Sequence, residues 1–299
     1  MTDLSILIPA RNEMFLRQTI DDILAHIEAD TEIIAVLDGA WADPVIPDHD
    51  RVTLVYHPFS IGQRAATNEA ARMAKGKYVM KCDAHCAFDQ GFDRKLIADM
   101  QPDWTMIPRM FNLHAFDWVC QNGHRRYQGP AGACKECGAD TEMEIVWLPR
   151  RNTYTDFAMF DNTLHFQYWR EYKNRPEARG DIADVMCCVG ACWLMERERY
   201  WRIGGMDERH GSWGQMGVEI ACKSWLSGGR QVVNKRTWFA HMFRTQGGFG
   251  FPYPIKYSEQ EAAREYSRIL WRGDNWDGAV RPFQWIIDKF APVPTWDDA

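Results

Sequence analysis

The sequence predicts an α/β protein built on a mostly parallel central sheet with helices on both faces. Three observations point there. Apolar runs of strand length recur through the first third of the 299-residue chain, segments with helical spacing separate them, and two of the runs stop abruptly at an acid, Asp38 and Asp83. Ligands of such sheets sit at the carboxyl ends of the strands, so the two acids mark one candidate site.

Residues 4–9 form a β-rich run closed by Pro9, and residues 15–27 carry apolar side chains at helical spacing. Residues 32–37 read as a second buried strand that ends in Asp38 and Gly39, and residues 52–56 as a third. Ala65, Ala66, Ala70, Ala71 and Ala74 predict a helix that Gly76 ends. Residues 78–82 are then a buried strand leading into Asp83-Ala84-His85. Residues i and i+2 of an extended segment point to the same side, so Asp83 and His85 can present a carboxylate and an imidazole to one divalent cation. Such a cation can hold a diphosphate. An isolated Asp-x-His equally fits a strand followed by a polar turn. The chain has no Gly-x-Gly-x-x-Gly and no Walker loop, which argues against a dinucleotide or P-loop nucleotide site.

A net charge of −6 and an isoelectric point near 5.9 speak against a broadly basic surface that coats nucleic acid, though they leave room for a local basic groove. No apolar run reaches the roughly eighteen residues of a membrane span, and residues 1–3 carry no basic leader, so the expectation is a cytoplasmic protein without a membrane partner. Nine cysteines, an odd number, read as reduced thiols or metal ligands rather than a disulfide framework. Fourteen tryptophans suit sugar and base sites as well as cores.

The stretches LSILIPARNE, EIIAVLDGAWAD, IGQRAATNEAARMAKGKYVMKCDAH and GGMDERHGSWGQMGVEIACKSWLSGG resemble family 2-like glycosyltransferases of the GT-A fold. They are most like the polypeptide N-acetylgalactosaminyltransferases, which also carry Asp-x-His in place of Asp-x-Asp, and they resemble phage-type glycosyltransferases of hydroxymethylated DNA bases. The resemblance implies a UDP-sugar donor and Mn²⁺ or Mg²⁺ at the donor site. It places Pro9, Arg11 and Glu13 beside the nucleotide, Asp38 at the uridine, and Arg64 and Asn68 on the helix next to the diphosphate. A solvated helix face is the other reading of Arg64. Gly190, in the apolar run 185–194, would lie beside the donor sugar. The three cysteines of that run, Cys187, Cys188 and Cys192, read as packing.

In the same family a Trp-Gly-Gly-Glu-Asn-x-Glu segment follows. Here Trp213, Gly214 and Glu219 match, whereas Met216 and Gly217 replace the acid and its neighbour. An acid near this place serves as base in inverting relatives. Either Asp207, Glu208 or Glu219 takes that role, or the reaction is retaining and needs none; Glu219 also fits a structural part at a helix start. His241 would be the third ligand of the donor-site metal after Asp83 and His85. Arg244 would neutralise the leaving UDP, and the loop 246–250 would close over the sugar. The catalytic set is thus Asp83, Glu219 and Arg244.

Between the resembling blocks, Cys120-x3-His124 and Cys134-x2-Cys137 offer four ligands for a structural Zn²⁺, with core packing of Cys120 and solvation of His124 as the alternative. Basic and aromatic residues around them, including Arg125, Arg126, Lys135, Arg150, Arg151, Tyr127 and Trp147, fit a nucleic-acid contact or an ordinary solvated face. The expected organisation is a nucleotide-sugar half at 1–102, an acceptor-side insertion with the zinc knuckle at 103–180, a second half at 181–256, and a C-terminal helix and tail at 257–299. The expected function is metal-dependent transfer of a hexosyl or N-acetylhexosaminyl group from a UDP-sugar to a hydroxyl, with a hydroxymethylated pyrimidine in DNA as the favoured acceptor and a bacterial or phage-infected cytoplasm as its place. The alternatives are a protein or glycan hydroxyl acceptor, and a non-catalytic sugar- or nucleic-acid-binding relative.

Overall fold

The computed structural model describes residues 2–153, 155–244 and 250–296. Its first hundred residues alternate strand and helix as the apolar spacing dictates: β1 (Leu4–Ala10), α1 (Leu16–His26), β2 (Thr31–Asp38), β3 (Val52–His57), α2 (Gln63–Met73), β4 (Tyr78–Cys82), the short β5 (Cys86–Phe88) and α3 (Phe92–Asp99). β1 pairs in parallel with β2 and with β4, and β2 with β3. α1 buries Leu16, Thr19, Ile20 and Ile23, a single helical stripe. α2 packs on β1 and β2 through small residues, Ala66, Ala70 and Ala71.

The second half reverses direction. It comprises β6 (Trp104–Cys120), β7 (Arg125–Tyr127), β8 (Thr141–Arg150), β9 (Ala158–Phe160), β10 (Phe166–Tyr168), β11 (Ile182–Asp184), β12 (Cys192–Glu196), α4 (Arg197–Arg202), α5 (Met216–Leu226), β13 (Arg230–His241), α6 (Tyr257–Ser267) and α7 (Gln284–Phe290). The central sheet runs β11-β13-β6-β12-β4-β1-β2-β3. β12 is antiparallel to both β4 and β6, and β11 to β13, so the sheet is mixed rather than mostly parallel. The cause lies in the apolar run 185–194, which the sequence suggests is one element. It breaks instead at Gly190, crosses the carboxyl end of β4, and enters the sheet against it with Cys192 opposite Cys82.

β6 is shared between two structures. As far as Asn112 it pairs with β13 in the central sheet, and from Asn112 to Cys120 it pairs with β8, forming an arm that β7 completes. The segment 103–180 therefore begins inside the main sheet and leaves it. α5 is buried along its whole length. Met216 and Ile220 join the core of the sheet, while Val218, Ala221, Cys222, Trp225 and Leu226 join a second core with Trp271, Ile286, Ile287 and Phe290 from the C-terminal segment. Among the described residues no helix is long and apolar enough to cross a membrane.

The N-terminus of α5 meets the loop before β12 backbone to backbone. A Cβ on Gly217 would lie 1.8 Å from the Cys188 carbonyl oxygen, and one on Gly190, whose φ is +85°, would lie 2.8 Å from the Gly217 amide nitrogen. Gly→Ala at an open helical position gains up to about 1 kcal/mol of helix propensity. Gly217→Ala is expected to lose roughly 2 kcal/mol or more instead, because the clash is with backbone that has no other place to go. Urea denaturation of the two proteins measures the sign.

Candidate active site

A cavity of about 450 Å³ opens at the carboxyl ends of β1, β2 and β4, where the chain also crosses into β12. Pro9, Arg11 and Glu13 line it after β1, Asp38 after β2, and Asp83, Ala84 and His85 after β4. The opposite wall is Val189, Gly190, Trp213 and Met216, with His241 and Arg244 beneath. Trp213, Phe251 and Tyr253 form an aromatic side, with ring centroids 5.7 and 5.9 Å apart.

Asp83, His85 and His241 converge in this cavity, each offering a ligand atom within 4.8 Å of the others. The convergence follows from strand pairing. β5 runs antiparallel to β13 with Cys86 opposite His241, and the Met242 amide donates to the His85 carbonyl at 3.1 Å. That register brings two histidines 156 residues apart to an Nε2–Nε2 distance of 3.1 Å, with Asp83 Oδ2 3.1 Å from His241 Nε2. Burial pushes the His241 imidazole down to about 4, so it is neutral near pH 7 with a lone pair to give. His85 Nδ1 lies 3.0 Å from Glu13 Oε2, an orientation that sends Nδ1–H to the carboxylate and the Nε2 lone pair to the centre. One hard oxygen and two imidazole nitrogens suit Mn²⁺ or a similar divalent ion. Among the described residues the Nδ1 of His241 is buried without a partner, so none of them competes to turn that ring away.

Two supporting groups shape these ligands. Glu13 also accepts from Arg244, and its carboxyl is held below the usual range: burial opposes this, but His85 and Arg244 outweigh it. Lys81 is fully buried, donating to Asp83 Oδ1 and, at 2.9 Å, to the Gly190 carbonyl. The Asp83 carboxyl is likewise driven far down, Lys81 and His241 overcoming the cost of burial. Lys81 was not singled out from the sequence. The signal was there, a lysine inside an apolar strand two residues before Asp83 and so on the same side of it.

Several expected contacts take other parts. Asp38 lines the cavity, but its carboxylate already accepts from Ser60 Oγ (2.8 Å), Ile61 N (2.5 Å) and Gly62 N (3.1 Å), fixing the turn that starts α2. Arg64 is 1 % exposed and does not reach the cavity. It donates to Glu219 (2.7 Å) and to the Gly211 and Gly214 carbonyls (3.2 and 2.6 Å). Glu219, 0 % exposed, also accepts from Lys223 (2.9 Å) and from the Asp207 amide (2.6 Å), so it brackets the loop carrying Trp213 instead of facing a substrate. Asn68 donates to the Met206 carbonyl and to Glu208. Neither Asp207, Glu208 nor Glu219 lines the cavity, and where the resembled family has an acid the wall presents Met216. Gly190 lines the cavity, its lack of a side chain required by Gly217. Of the loop expected to cover the sugar, 246–249 lie outside the described residues. Cys120, His124, Cys134 and Cys137 also come together, far along the arm.

Residues 5–118 match the family model "Glycosyl transferase family 2". This part of the chain is similar to the family 2 glycosyltransferases, and the fold is of the GT-A kind. A putative polypeptide N-acetylgalactosaminyltransferase 13 of Drosophila melanogaster is 23 % identical over 270 residues, 84 % of this chain and 43 % of the relative. A probable N-acetylgalactosaminyltransferase 8 of Caenorhabditis elegans is 23 % identical over 256 residues, 81 % and 54 %. The chain thus spans about half the length of the curated relatives it matches. Among solved structures, GalNAc-T7 with UDP, GalNAc and Mn²⁺ superposes with a TM-score of 0.61 over 92 % of this chain and 49 % of that one, at 18 % identity. The shared GT-A fold places the Asp83 strand end where the strand order reverses, the position at which such sheets take ligands.

The buried Arg64–Glu219–Lys223 cluster predicts a stability effect with a defined pH range. Glu219 is held at about 2 against an ordinary 4.5; burial opposes the shift, and Lys223 and Arg64 outweigh it. A depressed carboxyl contributes stability in full above about 4.5 and loses it as pH falls toward 2. Glu219→Ala, which leaves two buried cations without their counter-charge, is expected to cost about 3–5 kcal/mol at pH 7. The gap to wild type should narrow as pH drops through that window, read by urea denaturation at pH 7 and pH 3.

Proposed function

We propose that the protein transfers a sugar from a UDP-sugar to a hydroxyl of a protein or glycan, using Mn²⁺ held by Asp83, His85 and His241. The observation that carries this is the meeting of those three ligands at the carboxyl ends of the strands, inside a cavity with arginines and aromatic walls. When bound, the cation supplies charge neutralisation to the diphosphate leaving group. The chain's own residues do the rest. Glu13 fixes the rings and charges on either side of it, orienting His85 and anchoring Arg244 at the cavity floor. Arg11, stacked on Tyr253 at 5.1 Å, gives a second guanidinium on the nucleotide side. Trp213, Phe251 and Tyr253 offer flat apolar faces for a sugar or base ring.

The acceptor expected from the sequence, a hydroxymethylated pyrimidine in DNA, gains no support from relatives named as N-acetylgalactosaminyltransferases, two of them as polypeptide enzymes. A protein or glycan hydroxyl takes its place as the favoured acceptor. The stereochemical course follows from the wall. With Met216 where an acid would stand and Glu219 sealed away, neither of these positions presents a base to the sugar, and we assign a retaining reaction.

The charges around the ligands balance before any cation arrives: Asp83 against Lys81, Glu13 against Arg244, with His241 neutral. A bare divalent ion would leave the buried site doubly positive, whereas the diphosphate of a UDP-sugar, with one negative charge per phosphate, cancels it, and that of UDP more than cancels it. Calorimetry should therefore show UDP binding in the presence of Mn²⁺ and far weaker binding of either alone. Asp83→Asn or His241→Ala should weaken UDP by roughly tenfold or more, about 1.4 kcal/mol. Absence of UDP binding with Mn²⁺ present would overturn the reading, and UDP binding without release of sugar from UDP-sugars would favour the non-catalytic relative. Proton NMR of the glycoside should show the donor's anomeric configuration; an inverted product would overturn the assignment and point to another carboxylate of the wall, such as Glu259, as the base.

A further inference from the structure

The far end of the β6–β7–β8 arm has almost nothing apolar to hold it. Residues 121–140 contain no Leu, Ile, Val, Met, Phe or Trp, and a segment of that composition cannot bury enough surface to fix itself. Its backbone is nevertheless drawn into two tight turns. The Gly123 amide donates to the Cys120 carbonyl (2.9 Å) and the Cys120 amide to that of His124 (3.1 Å). Across from them the Gly138 amide donates to Cys134 (2.8 Å) and the Cys134 amide to Ala139 (2.8 Å). Gly123 and Gly138 take φ of +79° and +72°, the left-handed conformation that glycine adopts without strain.

We propose that the four side chains these turns bring together, Cys120, His124, Cys134 and Cys137, hold a structural Zn²⁺ that fixes the end of the arm. Their ligand atoms all lie within 4.8 Å of one another. His124 Nδ1 is 3.6 Å from Cys120 Sγ and 3.6 Å from Cys134 Sγ, and Cys120 Sγ is 3.7 Å from Cys137 Sγ. For Zn–S near 2.3 Å and Zn–N near 2.0 Å, the edges of a tetrahedron measure roughly 3.5 to 3.8 Å, so these separations are those of ligands around a shared ion. A disulfide needs about 2.05 Å and does not fit. The His124 ring turns its other nitrogen toward Glu136, Nε2 lying 3.6 Å from Oε2, the outer carboxylate that commonly orients a ligating imidazole. Four protein ligands leave no open position, so this ion holds structure and takes no substrate.

The site matters beyond the tip because Cys120 ends β6, the strand whose first half pairs with β13, the strand that ends at His241. The inference is independent of the sugar-transfer reading. Its test is metal analysis of the full chain purified without added zinc, by plasma mass spectrometry after dialysis against EDTA. One zinc per chain is expected, released by an organomercurial. Cys134→Ser and Cys137→Ser should lose it, while Asp83→Asn keeps it. Should a serine variant fail to fold, Co²⁺ exchanged into the wild-type protein gives a second reading, through the intense visible bands and thiolate charge-transfer absorption of tetrahedral cobalt. Removing zinc from the wild type should speed protease cleavage within 121–140. A chain free of zinc and silent to cobalt, a Cys120–Cys137 disulfide found by mass spectrometry, or zinc lost with Asp83→Asn would each overturn the proposal.

Discussion

The pairing of β5 with β13 is the constraint on which the site depends. A three-residue strand would contribute little to a sheet by itself, yet its register sets Cys86 against His241 and so fixes where His85 stands. A slip of one residue would turn every side chain on that strand to the other face. The buried apolar residues around it, Phe15, Ala87, Phe111, Ala240 and Met242, give the register its energy, since each has only one face on which it can be buried. The chemistry of the cavity is in this sense a by-product of packing several residues away.

The opposite wall is held by a different device. Gly190 and Gly217 let two backbones touch, and the Arg64–Glu219 pair ties the loop carrying Trp213 to α2. Removing side chains at one point and burying charges at the next both hold this wall in place. The cost of sealing Glu219 away is met by three donors on its two oxygens, an arrangement in which a buried ion stabilises rather than harms.

Much of the first half was legible because its physics is local. Parallel strands buried on both faces read as unbroken apolar runs, so β1, β2 and β4, and the acids at the ends of the last two, could be found from spacing alone. The direction of β12 could not, because an apolar run looks the same in either orientation and the turn at Gly190 is imposed by Gly217, far away in sequence. Asp83 and His85 were readable as a pair from the i, i+2 rule, whereas His241 was visible only through resemblance to a family. Lys81 was masked by the run around it: a lysine in a buried strand counts against the strand unless its partner is known, and that partner is Asp83, the proposed metal ligand.

The acids show where sequence reasoning stops. Glu13, Asp38, Asp83 and Glu219 all stand at strand ends or helix starts, the places where an acid suggests a ligand. Asp38 spends its oxygens on backbone amides and Ser60, Glu219 on a guanidinium, an ammonium and an amide, and Glu13 on a ring and a guanidinium. Asp83 differs in that one oxygen is held by Lys81 while the other faces the two imidazole nitrogens. A carboxylate can serve a cation only if its neighbours satisfy part of it and leave the rest directed at an open space, and of the four acids Asp83 alone meets that condition together with imidazole ligands. Which acid acts and which braces is thus decided by partners, several of them more than a hundred residues away, and it is the fold that distributes them.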